Sequence, residues 1–167
     1  MHLAIILAAG PDLTLTISTK QYGNTDMAAL KAEIVDWSVE LGFQQLGVSD
    51  IDLSEAERHL DAWLASGHHG TMQYMHRHGT KRSRPDELVP GTLRVISVRM
   101  DYLPQPESAA RELLDHGSRA YISRYALGRD YHKVLRNRLQ KLARRIEDRI
   151  GEFGYRAFVD SAPVLEK

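Results

Sequence analysis

The side chains best suited to chemistry fall in a few short stretches. His68, His69, His76 and His78 crowd one segment. Imidazoles are common zinc ligands, but no Cys accompanies these, and no pair sits four residues apart on a clear helix as in a zinc-protease motif. They read as solvated loop side chains, and no metal site is expected. Lys81, Arg82 and Arg84 precede Pro85. Such a run is usually a solvated surface, but the arginine fork also suits a phosphate or carboxylate. Ser123-Arg124-Tyr125-Ala126-Leu127-Gly128-Arg129-Asp130-Tyr131-His132 places hydroxyls, two Arg, a Gly and a His in a loop that leads straight into a helix. Helix starts collect anionic groups and close backbone contacts. Asp130 is also placed to cap that helix. Asp160 follows the apolar run Ala157-Phe158-Val159. An Asp at a strand end is commonly a turn residue. At the mouth of a cleft its carboxyl can instead hold a proton and act as general acid. The residues alone leave both readings open.

These groups need a scaffold, and hydrophobic periodicity supplies one. Leu30, Ile34, Trp37 and Leu41 recur at helical spacing before Gly42, which predicts a helix from Asp26. A strand over 43–49 follows. Ser54 and Glu57 have the form of a capping box opening a second helix that stops at Gly67. A short helical piece is expected near Met72–Met75, and the clearest strand runs over 94–102 until Pro104 and Pro106 break it. Residues 107–117 read as a polar excursion with a helical turn. Tyr131, Leu135, Leu139, Leu142, Ile146 and Ile150 then form one apolar stripe, predicting a long helix that ends near Gly151. A last strand spans 155–159. A long helix joining two strands allows a crossover, so α/β and α+β both stay open on pattern alone. The strands are few, mixed pairing is expected, and an α+β domain is the reading. Residues 1–25 read as a poorly ordered tail, since helical periodicity begins only after Asp26, and residues 26–167 read as the folded part. Within the tail, Leu13–Ile17 alternates like a strand without an evident partner, and Met27 is an alternative start.

Composition narrows the function classes. The chain has 167 residues, 43% hydrophobic and 26% charged, enough for one domain with a real core. Lys plus Arg and Asp plus Glu number 22 each, so any contact with a polyanion must come from a local patch. Cysteine is absent, which removes disulfides, thiolate catalysis and a self-supplied iron–sulfur cluster. No apolar run reaches the roughly 20 residues of a membrane span, and no Lys or Arg precedes the apolar start, so neither membrane insertion nor export is expected. A cytoplasmic setting fits.

Several stretches taken together carry a resemblance. They are Gly70-Thr71-Met72-Gln73-Tyr74-Met75, Lys81 through Gly91, Ser123 through His132, and Val159-Asp160-Ser161-Ala162-Pro163-Val164-Leu165-Glu166. In order and separation they resemble bacterial epoxyqueuosine reductases, from about Met27 to the last residue. The resemblance implies a nitroreductase-like, cobalamin-binding domain that is incomplete at its C-terminus here. In that family a ferredoxin-like domain with two [4Fe–4S] clusters delivers electrons to cobalt, and a helical repeat helps to hold tRNA. The enzyme removes the epoxide oxygen of epoxyqueuosine at the wobble position of the anticodon loop. Position by position, Asp160 falls on the proposed proton donor. Arg82 and Ser123 fall on corrin-contacting positions, Asp160 lies close to the corrin as well, and Arg124 is a second choice in that loop. The cluster ligands are missing from these residues, so the chain is expected to be a part of a monomeric reductase and inactive alone. The alternatives are a non-catalytic corrinoid- or tRNA-binding module and, more remotely, a flavin nitroreductase relative. The absent remainder also implies that Leu139 and Ile146 are left exposed.

Overall fold

The computed structural model describes residues 2–8, 26–102, 107–160 and 163–165. Asp26 caps helix α1 (Met27–Glu40), its carboxylate accepting from the backbone N–H groups of Ala28 and Ala29 at 2.9 and 3.3 Å. Gly42, at φ 83°, takes the left-handed turn out of α1 that a side-chain-bearing residue disfavours. Strand β2 (Gln45–Ser49) and helix α2 (Ser54–Ala65) follow. The next stretch holds the short helix α3 (Tyr74–Arg77), a 3₁₀ turn at Gly79–Arg82 and helix α4 (Pro85–Leu88), which Pro85 opens. Strand β3 (Thr92–Arg99) leads to helix α5 (Glu107–Leu114). A 3₁₀ turn at Arg124–Ala126 precedes the 20-residue helix α6 (Tyr131–Ile150), and strand β4 (Gly154–Val159) follows it.

The remaining strand, β1 (His2–Ala8), lies within the stretch that the sequence reading treats as a tail. The sheet order is β2-β3-β1-β4, so β1 sits between β3 and β4 and pairs with both. Its Ala4-Ile5-Ile6-Leu7-Ala8 run does not alternate, so it carries no period-two signal and gave the reading nothing to hold. Residues 9–25, with the alternating Leu13–Ile17, lie outside the described residues. Among the described residues every strand pair is antiparallel, which corrects the expectation of mixed pairing. With β1 inserted, β3 and β4 run parallel to each other but never meet. The architecture is α+β.

One face of the sheet carries the core. Ile96, Val98 and Val159 meet Leu30 and Ile34 of α1, Phe43, Phe153, and the α6 stripe of Leu135, Leu139, Leu142, Ala143 and Ile146. Leu139 and Ile146 are 0% and 1% exposed, so the expectation that they await missing residues is overturned. They are covered by α1 and the sheet. Two arginines of α6 reach across to α1: Arg149 pairs with Glu33 at 2.8 Å, and Arg145 with Glu40. Part of the basic face of α6 is thus a helix–helix seam.

The capping box at the start of α2 does not form. Ser54 is the first helical residue and caps nothing, while its N–H donates to Asp52 at 3.1 Å. Glu57 turns away because it has a stronger partner. Arg84 grips it with Nη2 on Oε1 at 2.9 Å and Nε on Oε2 at 3.1 Å, and the Ser83 hydroxyl donates to Oε2. A charge-assisted fork outcompetes a neutral backbone cap.

Candidate active site around the end of strand β4

Asp160 ends β4 with φ 54°, and among the described residues it alone has positive φ without being glycine. Asp tolerates this left-handed backbone better than most residues, and such conformations gather at functional sites. Helix α6, packed on β4, brings its first turn against this strand end. The Tyr131 phenol faces the Asp160 carboxyl, and the pull of that side chain as an acceptor, then burial, then the charge of Asp160, pushes the phenol above its usual range. His132 Nε2 lies 4.0 Å from Asp160 Oδ2.

The start of α6 is capped by its own side chains. The Asp130 carboxylate accepts the His132 backbone N–H at 3.0 Å and lies 3.3 Å from His132 Nδ1. Burial opposes ionisation of Asp130, but the His132 backbone and ring contacts and the nearby Lys133 prevail, so its carboxyl is held below the usual carboxylate range. The rings of Tyr131 and His132 stack at 4.0 Å, and Tyr125 meets Tyr131 edge-on at 6.1 Å. Through Tyr125 the loop bearing Ser123 reaches the same region. Ser123 is exposed, and its carbonyl accepts the Ala126 N–H at 2.9 Å, closing the 3₁₀ turn. Ile122, Tyr125 and Leu127 stand 57%, 52% and 57% exposed beside it, an apolar rim next to the polar cluster.

Arg82 is tied to this region through its main chain: its carbonyl accepts the N–H of Leu165, five residues past Asp160, at 2.8 Å. Its guanidinium holds the first two residues of α3, with Nη2 on the Tyr74 carbonyl at 2.7 Å and Nε on that of Met75 at 3.1 Å. Arg84 is engaged by Glu57 and by Glu87, at 3.1 Å, while the Thr80 hydroxyl donates to Glu87 at 2.7 Å. The basic run is therefore a braced turn.

Along β4 lies a groove of about 560 Å³ whose lining includes Leu88, Arg136, Gln140, Arg156, Phe158 and Pro163. Arg156 stacks over Phe158, its guanidinium carbon 4.9 Å from the ring centre. The histidine-rich segment forms an aromatic ladder, Trp63 to His69 at 6.1 Å and His69 to His76 at 5.4 Å. Among the described residues, no three His, Asp or Glu side chains converge as a metal site. Nor is any helix among them long and apolar enough to cross a membrane.

Sequence reasoning named Asp160, Arg82 and Ser123, and the structure links Asp160 to the Ser123 loop by way of Tyr131 and Tyr125. It missed Tyr131 and His132 as partners of Asp160. Their signal was modest: a phenol and an imidazole directly after an N-cap Asp.

Comparison with known proteins converges on one family. The family described as epoxyqueuosine reductase QueG, DUF1730, matches residues 82–161. Over 142 residues, 85% of the chain, it is 63% identical to the epoxyqueuosine reductase of Pseudomonas aeruginosa, and 56% identical to that of Vibrio cholerae. Over the same length it is 55% identical to the Escherichia coli protein of that name. The chain spans about two-fifths of the length of these relatives, 39%, 38% and 37% respectively. No solved structure matches.

Proposed function

The chain belongs to the epoxyqueuosine reductase family, and on that footing we propose that it forms part of a nitroreductase-like, cobalamin-binding catalytic domain that reduces epoxyqueuosine in tRNA, with Asp160 as the proton donor. The observation that carries this reading is the setting of Asp160: a carboxyl held at a strand end in a left-handed backbone, beside the Tyr131 phenol and faced by the His132 imidazole. Opening an epoxide develops negative charge on oxygen, and a carboxylic acid beside it supplies the proton.

The residues present suit a corrinoid. A macrocycle with apolar faces and amide and phosphate side arms needs an apolar platform rimmed by donors. Ile122, Tyr125 and Leu127 offer exposed apolar surface, and Ser123, also exposed, adds a hydroxyl to the same loop. Arg136 and Arg156 in the β4 groove offer guanidinium donors for a phosphate, whether of cofactor or tRNA. When bound, the cobalt centre supplies low-potential electrons. The protein's own residues orient the substrate and manage its protons. Arg82 acts on this site indirectly, by fixing the turn at Gly79–Arg82 against α3 and against the segment after Asp160. Iron–sulfur clusters, which would supply electrons to a bound corrinoid, would need Cys ligands that this cysteine-free chain does not contain.

The test is a chimera in which the matching segment of the Pseudomonas aeruginosa relative is replaced by this sequence. Loaded with cob(II)alamin and given a low-potential reductant, it should convert epoxyqueuosine in tRNA to queuosine, read by mass spectrometry of digested tRNA. Flavin absorbance in the purified protein, or corrinoid binding without conversion, would contradict the reading.

A further inference from the structure

We propose that His132 reloads Asp160 with protons during turnover, an inference that rests on the reading of Asp160 as donor and extends it to a second residue. The need follows from stoichiometry. Converting an epoxide to an alkene breaks both C–O bonds, forms a C=C bond and releases the oxygen as water. This takes two electrons, from the reduced corrinoid, and two protons. A single carboxylic acid holds one. After its first transfer Asp160 is a carboxylate and must regain a proton before the oxygen can leave as water.

The geometry supplies a route. His132 lies between two carboxylates: Nδ1 is 3.3 Å from Asp130 Oδ1, and Nε2 is 4.0 Å from Asp160 Oδ2. A neutral imidazole donates at one nitrogen only, whereas the protonated ring donates at both. The ring stacks on Tyr131 with Nε2 turned toward Asp160, and a small rotation of the carboxyl closes the 4.0 Å separation to hydrogen-bond reach. Its side chain is 44% exposed, open to water for its own reprotonation. The transfer then balances: protonated His132 gives its Nε2 proton to the Asp160 carboxylate and becomes neutral, and water reprotonates it. The Tyr131 hydroxyl, which also faces Asp160, is poorly suited to this task, because the carboxyl and burial raise its pKa above that of an ordinary phenol. The titratable and charged groups facing His132 are Asp130, Tyr131 and Lys133 on its own element, Asp160 at the end of β4, and Tyr125 beyond the Tyr131 ring. His132 acts through Asp160, not on the substrate. Asp130 is the group that aims it.

Two measurements test this. In the chain itself, Asp160→Asn should move the ¹⁵N resonance of His132 Nε2 and leave Nδ1 nearly unchanged, as expected if Nε2 faces the carboxylate. In the chimeric enzyme, His132→Gln should keep cobalamin content and tRNA affinity but lose turnover by about 10²-fold, the low end for a proton-transferring group. At fixed pH, rising imidazole buffer should restore rate to His132→Gln and not affect the wild type. Unchanged turnover overturns the proposal. So does lost turnover that no buffer restores, or an Nε2 resonance indifferent to Asp160→Asn. Failure of the donor reading looks different: Asp160→Asn would stay active whatever His132→Gln does.

Discussion

Leu139→Ala probes whether α6 is held as a platform for the site. Leu139 is fully buried near the middle of the α6 stripe, between Leu135 and Leu142, and faces the α1 and sheet residues of the core. Truncating a buried Leu removes its transfer free energy and leaves a cavity, together about 2–5 kcal/mol. Neighbours on α1 and on the sheet surround the position, which leaves little room for collapse, so the loss should lie in the upper part of that range, about 3–5 kcal/mol. For a chain of this size each kcal/mol moves the melting midpoint by roughly 2–4 °C, giving a fall of about 6–20 °C. Urea unfolding followed by circular dichroism measures it directly, with an unchanged slope showing that the denatured state is unaltered. Leu127→Ala, at a position 57% exposed, is the control and should change stability by no more than about 0.5 kcal/mol. A loss below about 1 kcal/mol for Leu139→Ala would mean that α6 is not packed as described, and the first turn bearing Tyr131 and His132 would lose its support.

Deleting residues 1–25 removes β1 from between β3 and β4, so the melting midpoint should drop by several degrees; an unchanged midpoint would restore the tail reading. Arg84 and then Ser83 hold the Glu57 carboxyl below its ordinary 4.5, against a smaller opposing effect of burial. The stability this contributes is present above pH 4.5 and is lost as pH falls through the lowered value. The melting-temperature gap between wild type and Glu57→Gln should therefore narrow as pH falls below 4.5, and a gap constant from pH 7 to pH 3 would refute the linkage. Arg82→Ala frees the carbonyls of Tyr74 and Met75. Cobalamin occupancy of the chimeric enzyme should fall severalfold and recover with excess cofactor, while Arg82→Lys, which keeps charge but not the fork, should recover only partly; full occupancy in both variants would detach this turn from the cofactor.

The parts of the fold legible in the sequence are those whose signals are local. Helix α6 begins and ends as read because an N-cap Asp130, an unbroken stripe from Tyr131 to Ile150 and a closing Gly151 all lie within the helix or beside it. Helix α1 was legible for the same reasons. What escaped depends on partners remote in sequence. Strand β1 is recognisable only from the strands on either side of it. Glu57 looked like a capping residue because Arg84, 27 positions away, cannot be weighed from a local window. The candidate site divides the same way. Asp160 and the loop from Ser123 to His132 were marked by composition and by family resemblance, but their meeting is a product of α6 packing on β4. Arg82 was read from the resemblance as a cofactor-contacting side chain, and what no local window could show is that its Nε and Nη2 bond the carbonyls of Met75 and Tyr74.

The central claim is that Asp160 donates the proton. Asn is the informative replacement, since it keeps size and hydrogen bonding and, like Asp, tolerates the φ of 54° found there. Queuosine formed by the Asp160→Asn chimeric enzyme should be measured in digested tRNA by mass spectrometry, beside cobalamin content per protein. The account predicts full cofactor loading and normal tRNA binding with turnover reduced by about 10²–10⁴-fold. Near-normal turnover at full cofactor loading would contradict it and leave Asp160 a residue that turns the chain at the end of β4.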